Sequence, residues 1–345
     1  MSSWNARVKE YDSRFSSCIN IIILIKITII LDRVSDLPRI LVSQKLLSPN
    51  NARLRQRATG EPLFSANRNS RACWQSGASV LPAASTDQRF LEAQFLCAID
   101  SLKCVPIDHG LLGDSEFVFD LPRVEPHADQ LIVQFDRRTE LSDLVLSLLP
   151  SVDPRDGYVQ GIPGLRFRTD KGKVSLHVPG RKAEIILDRV SEKAWLCAVS
   201  TAFAGVDPSL LIWSQSPEQV SAAETEQTSG FRTTMPTDDL ESILLRRIRA
   251  LDILKPVAVK AWRPDGRELH VQVRVVEHDL NLADDLITTM TDPRLTPDLR
   301  FVGRDRTWLK FESPSGGMIV VRVELGRRSP ATALKEISFT PTLPL

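Results

Sequence analysis

The sequence has little of what usually identifies an activity. Its five cysteines, Cys18, Cys73, Cys97, Cys104 and Cys197, are odd in number and form no C-x-x-C pair, which argues against a disulfide framework and against zinc. A formal net charge of +1, from 44 Lys+Arg and 43 Asp+Glu, gives no overall field toward nucleic acid or an anionic membrane. Apolar runs fall short of the ~20 residues that cross a bilayer. The isoleucine-rich stretch CINIIILIKITIIL at 18–31 carries Lys26 near its middle, and the Leu31-Asp32-Arg33 that follows lacks the small residues of a signal cleavage site. Gly110-Leu-Leu-Gly113 and Gly161-Ile-Pro-Gly164 have neither the G-x-x-x-x-G-K-[ST] nor the G-x-G-x-x-G form. His109, His127, His177, His270 and His278 have no partner at metal-ligand or triad spacing. The expectation is a cytoplasmic chain without catalytic residues, metal or cofactor, in which only residues 18–31 offer a membrane contact.

What is present divides by composition. Six of the seven asparagines lie in the first 80 residues, where basic residues outnumber acidic ones by 12 to 5. Arg53, Arg55, Arg57, Arg68 and Arg71, scattered among Ser, Asn and Gly, form no periodic face. Residues 1–80 are therefore expected to form a poorly ordered arm outside the fold.

From residue 81 the periodicities become legible, and they occur twice. Leu91, Phe95, Ala98, Ile99 and Leu102 form one helical stripe, with Ser85 or Thr86 as its cap; Leu240, Leu244, Ile248 and Leu251 form another, with Thr237 as its cap. The first helix closes on Ala-Ile-Asp-Ser-Leu (98–102), the second on Ala-Leu-Asp-Ile-Leu (250–254). Alternating runs follow each: EFVFDL and DQLIVQF after the first, VAVKAW and ELHVQV after the second, the latter pair joined by the turn Arg-Pro-Asp-Gly. A helix comes next in both, ELSDLVLSLL and LADDLITTM, then Asp-Pro-Arg (153–155 and 292–294), then Leu-Arg-Phe (165–167 and 299–301). Two alternating strands end each series, KVSLHV with AEIIL and WLKF with MIVVRVEL. The offsets range from 134 to 152 residues, too long for a solenoid repeat, so the collinear order points to a duplicated domain.

The predicted class is α+β: two tandem copies of a helix, hairpin, helix, hairpin unit, each with a four-stranded antiparallel sheet covered on one face by its helices, related by a pseudo-twofold. Copy one covers 81–187, a helical connector with a polar loop 188–236, copy two 237–328 and a tail 329–345. The connector is expected to hold a helix over SEKAWLCAVSTAF, a short helix after Asp207-Pro208, and an exposed polar stretch, SQSPEQVSAAETEQTSG.

Three functional readings follow. Duplication without a catalytic constellation points first to a protein-interaction, chaperone-like or regulatory module that holds an unknown protein partner on a sheet face or in the groove between copies; only the order of elements carries this analogy. A nucleic-acid surface on the basic side of copy two is the second, with Arg246, Arg249, Arg304 and Arg306 on phosphates and Trp308 as a stacking ring. The third is an enzyme or small-anion binder in which Arg155 and Arg294, the arginines of the two Asp-Pro-Arg turns, grip an anion between the copies. In the bland account the same turns stop a helix and their arginines bond its last carbonyls.

Overall fold

The computed structural model describes residues 48–77, 79–101, 121–137, 139–155, 157–234, 239–264, 266–275, 280–305 and 307–325. The isoleucine-rich stretch, EFVFDL up to residue 120, Arg306 and the tail lie outside the described residues. Helices α1 (Ser48–Thr59), α2 (Leu63–Gln75) and α3 (Thr86–Ser101) precede strands β1 (Arg123–Pro126) and β2 (Gln130–Gln134). Helix α4 (Leu141–Leu148), the short ribbon β3 (Ser151–Val152) and β4 (Val159–Gln160), and strands β5 (Arg166–Asp170), β6 (Lys173–His177) and β7 (Glu184–Ser191) follow. The next segment holds α5 (Glu192–Ala202), a 3-10 turn (Pro208–Leu210), α6 (Ile212–Gln215) and α7 (Ala222–Thr234). The last series is α8 (Asp239–Arg246), a 3-10 helix (Ile248–Leu254), β8 (Pro256–Trp262), β9 (Glu268–Val275), α9 (Leu280–Met290), β10 (Arg300–Arg304), β11 (Trp308–Glu312) and β12 (Met318–Leu325).

The architecture is α+β. Two five-stranded sheets run in the orders β1-β2-β7-β6-β5 and β8-β9-β12-β11-β10. Numbered within each sheet in chain order, both run 1-2-5-4-3. Each sheet thus has one strand more than expected, because the Leu-Arg-Phe segments are themselves strands, β5 and β10. The sheets are mixed rather than purely antiparallel: β2 pairs with β7, and β9 with β12, in parallel. The excursion through α4 or α9 brings the chain back at the far edge, and the closing three-strand meander returns the last strand beside the second. In the first sheet β2 pairs with β1, Val124 and Glu125 opposite Val133 and Ile132.

Alternation decides which face each strand buries. In β9 every second residue, Leu269, Val271, Val273 and Val275, is buried, while Glu268, His270, Gln272 and Arg274 face outward. One continuous core runs from Leu91 of α3 to Val323 of β12 and includes inward residues of both sheets. Helices α3 and α8 pack on each other; α3 also reaches β8 of the second sheet and α8 reaches β1 of the first.

The arm prediction fails from Asn51 onward. Helices α1 and α2 bury Arg55, Ala58, Ala66 and Asn69. Hydrophobic periodicity missed them because their core contacts are alanines and a buried ion pair. Arg55 donates from Nε to Glu61 Oε1 at 2.8 Å, and from its terminal nitrogens to Val80 O at 2.7 Å and Pro126 O at 3.2 Å. Asn69 donates to Glu61 Oε2 at 2.8 Å and to Glu125 Oε1 at 2.9 Å, which ties the helices to β1.

Glu125 gives this junction a pH dependence. Hydrogen bonds from His127, Arg123 and Asn69 outweigh its burial and hold its carboxyl down at about 2, against an ordinary 4.5. The unfolded chain takes up a proton first as pH falls, so the stabilisation is complete above pH 4.5 and is lost on the way down to about 2. That shift corresponds to about 3 kcal/mol. Urea titrations at stepped pH should show this slope in the native sequence and lose it in Glu125→Gln; an unchanged slope would assign the acid sensitivity elsewhere.

The segment between the sheets follows its capping signals. Ser191 caps α5 by accepting from Ala194 N at 3.2 Å, and Asp207 accepts from Ser209 N at 2.8 Å at the 3-10 turn. The stretch read as exposed is largely exposed; it contains most of α7, and within it Glu224 is fully buried.

Candidate ligand cleft

The arginines singled out in the sequence do not assemble a site. In both Asp-Pro-Arg turns the aspartate Oδ1 accepts from the arginine backbone N–H at 2.9 Å, the local turn expected of Asp before Pro. Arg155 is exposed on the β3–β4 loop. Arg294 spends its fork on its own Asp292, with Nε–Oδ1 at 2.9 Å and Nη2–Oδ2 at 2.7 Å, and its Nη1 reaches Asn51 Oδ1 at 3.1 Å. The carbonyls behind α9 are bonded by another arginine: Arg247 donates to Met290 O at 2.8 Å, to Leu295 O at 2.9 Å and to Pro297 O. Burial lowers the pKa of Arg247 to about 10, which leaves it charged at neutral pH.

The contact expected to form a groove between the units is filled. Arg246, read as a surface cation, is buried and grips Glu92 of α3 bidentately, Nε–Oε2 at 2.8 Å and Nη2–Oε1 at 2.7 Å. It also donates to Pro82 O and His127 O, each at 2.7 Å. The polar side of α8 faces α3, and a carboxylate there turns the arginine inward. Arg249 pairs with Asp252, and Arg304 with Asp284 at 2.6 Å. Trp308 stands edge-on to His270, with the Arg322 guanidinium 5.0 Å from its ring centre. Every described arginine of the proposed nucleic-acid set therefore has a carboxylate partner.

A different site emerges beside α7. Two adjoining cavities, of about 220 and 680 Å³, share Gln94 and Pro163 in their walls. Helix α3 supplies Phe90, Gln94 and Ala98; α4 supplies Leu146; the 158–164 loop supplies Tyr158, Ile162 and Pro163; α7 closes the side with Thr228 and Phe231. Gln94 is 4% exposed, and its Nε2 has no hydrogen-bond partner. A buried donor left unbonded costs on the order of 1–3 kcal/mol, so its presence at the junction of two cavities needs a reason. At the rim, Leu146 is 45% exposed and Tyr158 is 59% exposed.

The walls are set by the backbone. Gly161 has a φ of +78°, and a Cβ there would stand 2.6 Å from Leu149 O, so glycine is required where the loop crosses the end of α4. Helix α7 starts with a capping box: Ser221 Oγ accepts from Glu224 N at 3.2 Å, and Glu224 Oε2 accepts from Ser221 N at 2.8 Å. Glu224 also receives Gly164 N at 2.9 Å and the fork of Arg166 at 2.9 and 3.1 Å. Burial pushes the Glu224 pKa up, but Arg166 and the Ser221 and Gly164 amides outweigh it, and the carboxyl lies below its ordinary value. Farther along, Phe231 meets Phe90 edge-on at 5.6 Å. The S-x-x-E signature of this cap was readable at Ser221-Ala-Ala-Glu224. Gln94 had no such signal, since one polar residue beside an apolar stripe looks like any solvated position.

Among the described residues no group of three or more His, Cys, Asp or Glu side chains is placed to hold a metal, and no helix is long and apolar enough to cross a membrane. Comparisons with family models, with curated proteins and with solved structures found no match. The cleft must be read from its own chemistry: walls that mix apolar and polar side chains, an open rim and one buried donor without an acceptor.

Proposed function

We propose that this chain is a non-enzymatic binding module, built from two units that arose by duplication, and that the cleft around Gln94 is where it holds a segment of a protein partner. The single observation that carries the reading is the buried, unbonded Nε2 of Gln94 at the junction of the two cavities. A partner carbonyl would satisfy it while an apolar side chain fills the larger cavity. The shared 1-2-5-4-3 order and the reciprocal helix contacts support the duplication. Cys73 and Cys197 form no disulfide, in keeping with a cytoplasmic, reducing compartment.

Gln94→Leu tests the reading because binding and stability should move in opposite directions. Removing an unsatisfied buried donor should raise the stability of the free protein by about 1 kcal/mol, while binding of amide-containing fragments to the cleft weakens at least about tenfold. Thermal unfolding and a ligand-detected NMR screen with such fragments measure the two effects. A variant that is destabilised and binds the fragments unchanged would show that Gln94 is a packing residue only.

A further inference from the structure

Three described residues other than glycine have a positive φ: Lys171, Arg189 and Lys255. Lys171 turns the β5–β6 hairpin beside Gly172, and Lys255 ends the 3-10 helix in the left-handed conformation, so both serve the path of the chain. Arg189, at +63°, stands inside strand β7. There the register jumps: Leu187 lies opposite Val174 and Ser191 opposite Lys173, so Asp188, Arg189 and Val190 have no partner on β6. Glycine adopts this conformation without the Cβ clash that an arginine meets. Among the described residues the exposed Arg189 side chain reaches only Asp188, at 4.0 Å. A strained residue inside a bulge, with no contact that accounts for it, points to work done by its guanidinium.

Two cavities, of about 470 and 660 Å³, meet at this bulge and share Asp188, Arg189, Val190 and Ser191 in their walls. The first gathers Arg68 of α2, Arg123 of β1, Lys173 and Arg189 against the carboxylates of Glu125 and Asp188. Glu125 is paired with Arg123, which also reaches Asp188 at 3.6 Å and whose Nε is buried and unbonded. Arg68 stands 3.9 Å from Glu125, and Lys173 has no carboxylate partner among the described residues. Four cations against two carboxylates leave an excess of about two positive charges, which matches a phosphate monoester above its second pKa of about 6. The second cavity continues past the bulge along Phe135, Leu141 and Val190, and the Oγ1 of Thr139 in its wall is buried and unbonded. Asp136 and Arg137 there cancel in charge. We propose that this groove is a second binding site, independent of the Gln94 cleft, whose ligand is a small phosphate monoester with an apolar body. The phosphate lies among Arg68, Arg123, Lys173 and Arg189, and the body lies against Phe135 and Leu141.

The test uses the full chain with phenyl phosphate as the probe, titrated calorimetrically beside inorganic phosphate and phenol. Phenyl phosphate should bind at least about tenfold more tightly than either, and its affinity should fall as salt rises. Arg189→Gly should weaken it by about tenfold or more while the thermal midpoint holds or rises, because glycine relieves the left-handed strain. Arg68→Gln changes an exposed helix position and leaves the bulge alone; it should weaken the probe severalfold. Gln94→Leu should leave its affinity unchanged. No binding of phenyl phosphate at millimolar concentration, or phenol binding as tightly, would overturn the anion site. So would affinity indifferent to both Arg189→Gly and Arg68→Gln, and an Arg189→Gly protein that is less stable yet binds as before would show that the bulge serves the fold alone. Inorganic phosphate binding as tightly as phenyl phosphate would overturn the apolar half of the ligand. Binding lost in Gln94→Leu would place the probe in the other cleft and overturn a second site.

Discussion

Arg246→Met should destabilise the protein by about 3–5 kcal/mol, because it leaves the Glu92 carboxylate buried without its cation. Glu92 is fully buried, and among its partners only Arg246 is charged; the others are Gln88, at 2.9 Å, and the Ser242 hydroxyl. The loss falls on the contact between α3 and α8, and with it on the core shared by both sheets. The double variant Glu92→Leu/Arg246→Met should recover most of the stability, since an apolar pair of similar volume removes the desolvation problem from both sides. Chemical unfolding of the native protein, both single variants and the double variant forms a complete cycle. A single variant within about 0.5 kcal/mol of the native protein would mean that water reaches Glu92 and that the pair is not the buried lock described above.

The second large effect is local. Arg166→Leu should also cost about 3–5 kcal/mol by stranding Glu224, which is buried and charged. Its consequences should concentrate on α7, because Arg166 holds that segment at several points: Glu224 itself, Ser216 O at 2.9 Å and Gln219 O at 2.7 Å. Amide exchange over residues 216–231 should then accelerate by at least about tenfold while the strands of the second sheet keep their protection. The equivalent change in the other unit, Arg300→Leu, should shift stability by less than about 1 kcal/mol, since Arg300 is an exposed strand residue paired with Glu312. The contrast tests whether matching positions of the two units now do different work. Equal losses from both variants would reject it.

The same pair of arginines marks how far the sequence could be read. Leu-Arg-Phe at 165–167 and at 299–301 identified corresponding places in two series, and both are strands with the same neighbours. Helices α4 and α9 and the pairing of β8 with β9 also lie where their periodicities put them, because burying one face repeats along the chain at a fixed interval. Which arginine is inside depends on carboxylates far away in sequence: Glu224 is 58 residues from Arg166, and Glu92 is 154 residues from Arg246. No local pattern encodes those distances. Arg55 misled for the same reason, since its partners Glu61, Val80 and Pro126 become neighbours only when α1 docks.

By itself, then, the sequence determined the class, the helices α4 and α9, the helix over SEKAWLCAVSTAF and the cap at Ser85, all of which rest on chemistry within a few residues of the chain. Tertiary structure alone decided that each last strand runs parallel beside the second, that residues 51–80 belong to the core, and that the contact between the units is closed by Arg246 and Glu92. It alone placed Gln94, one polar residue in an ordinary amphipathic helix, at the meeting point of two cavities with nothing to bond. The physical reason is that propensity and alternation act over a turn or a strand, whereas satisfaction of a buried polar group is settled by whichever residues the whole fold brings within about 3 Å of it.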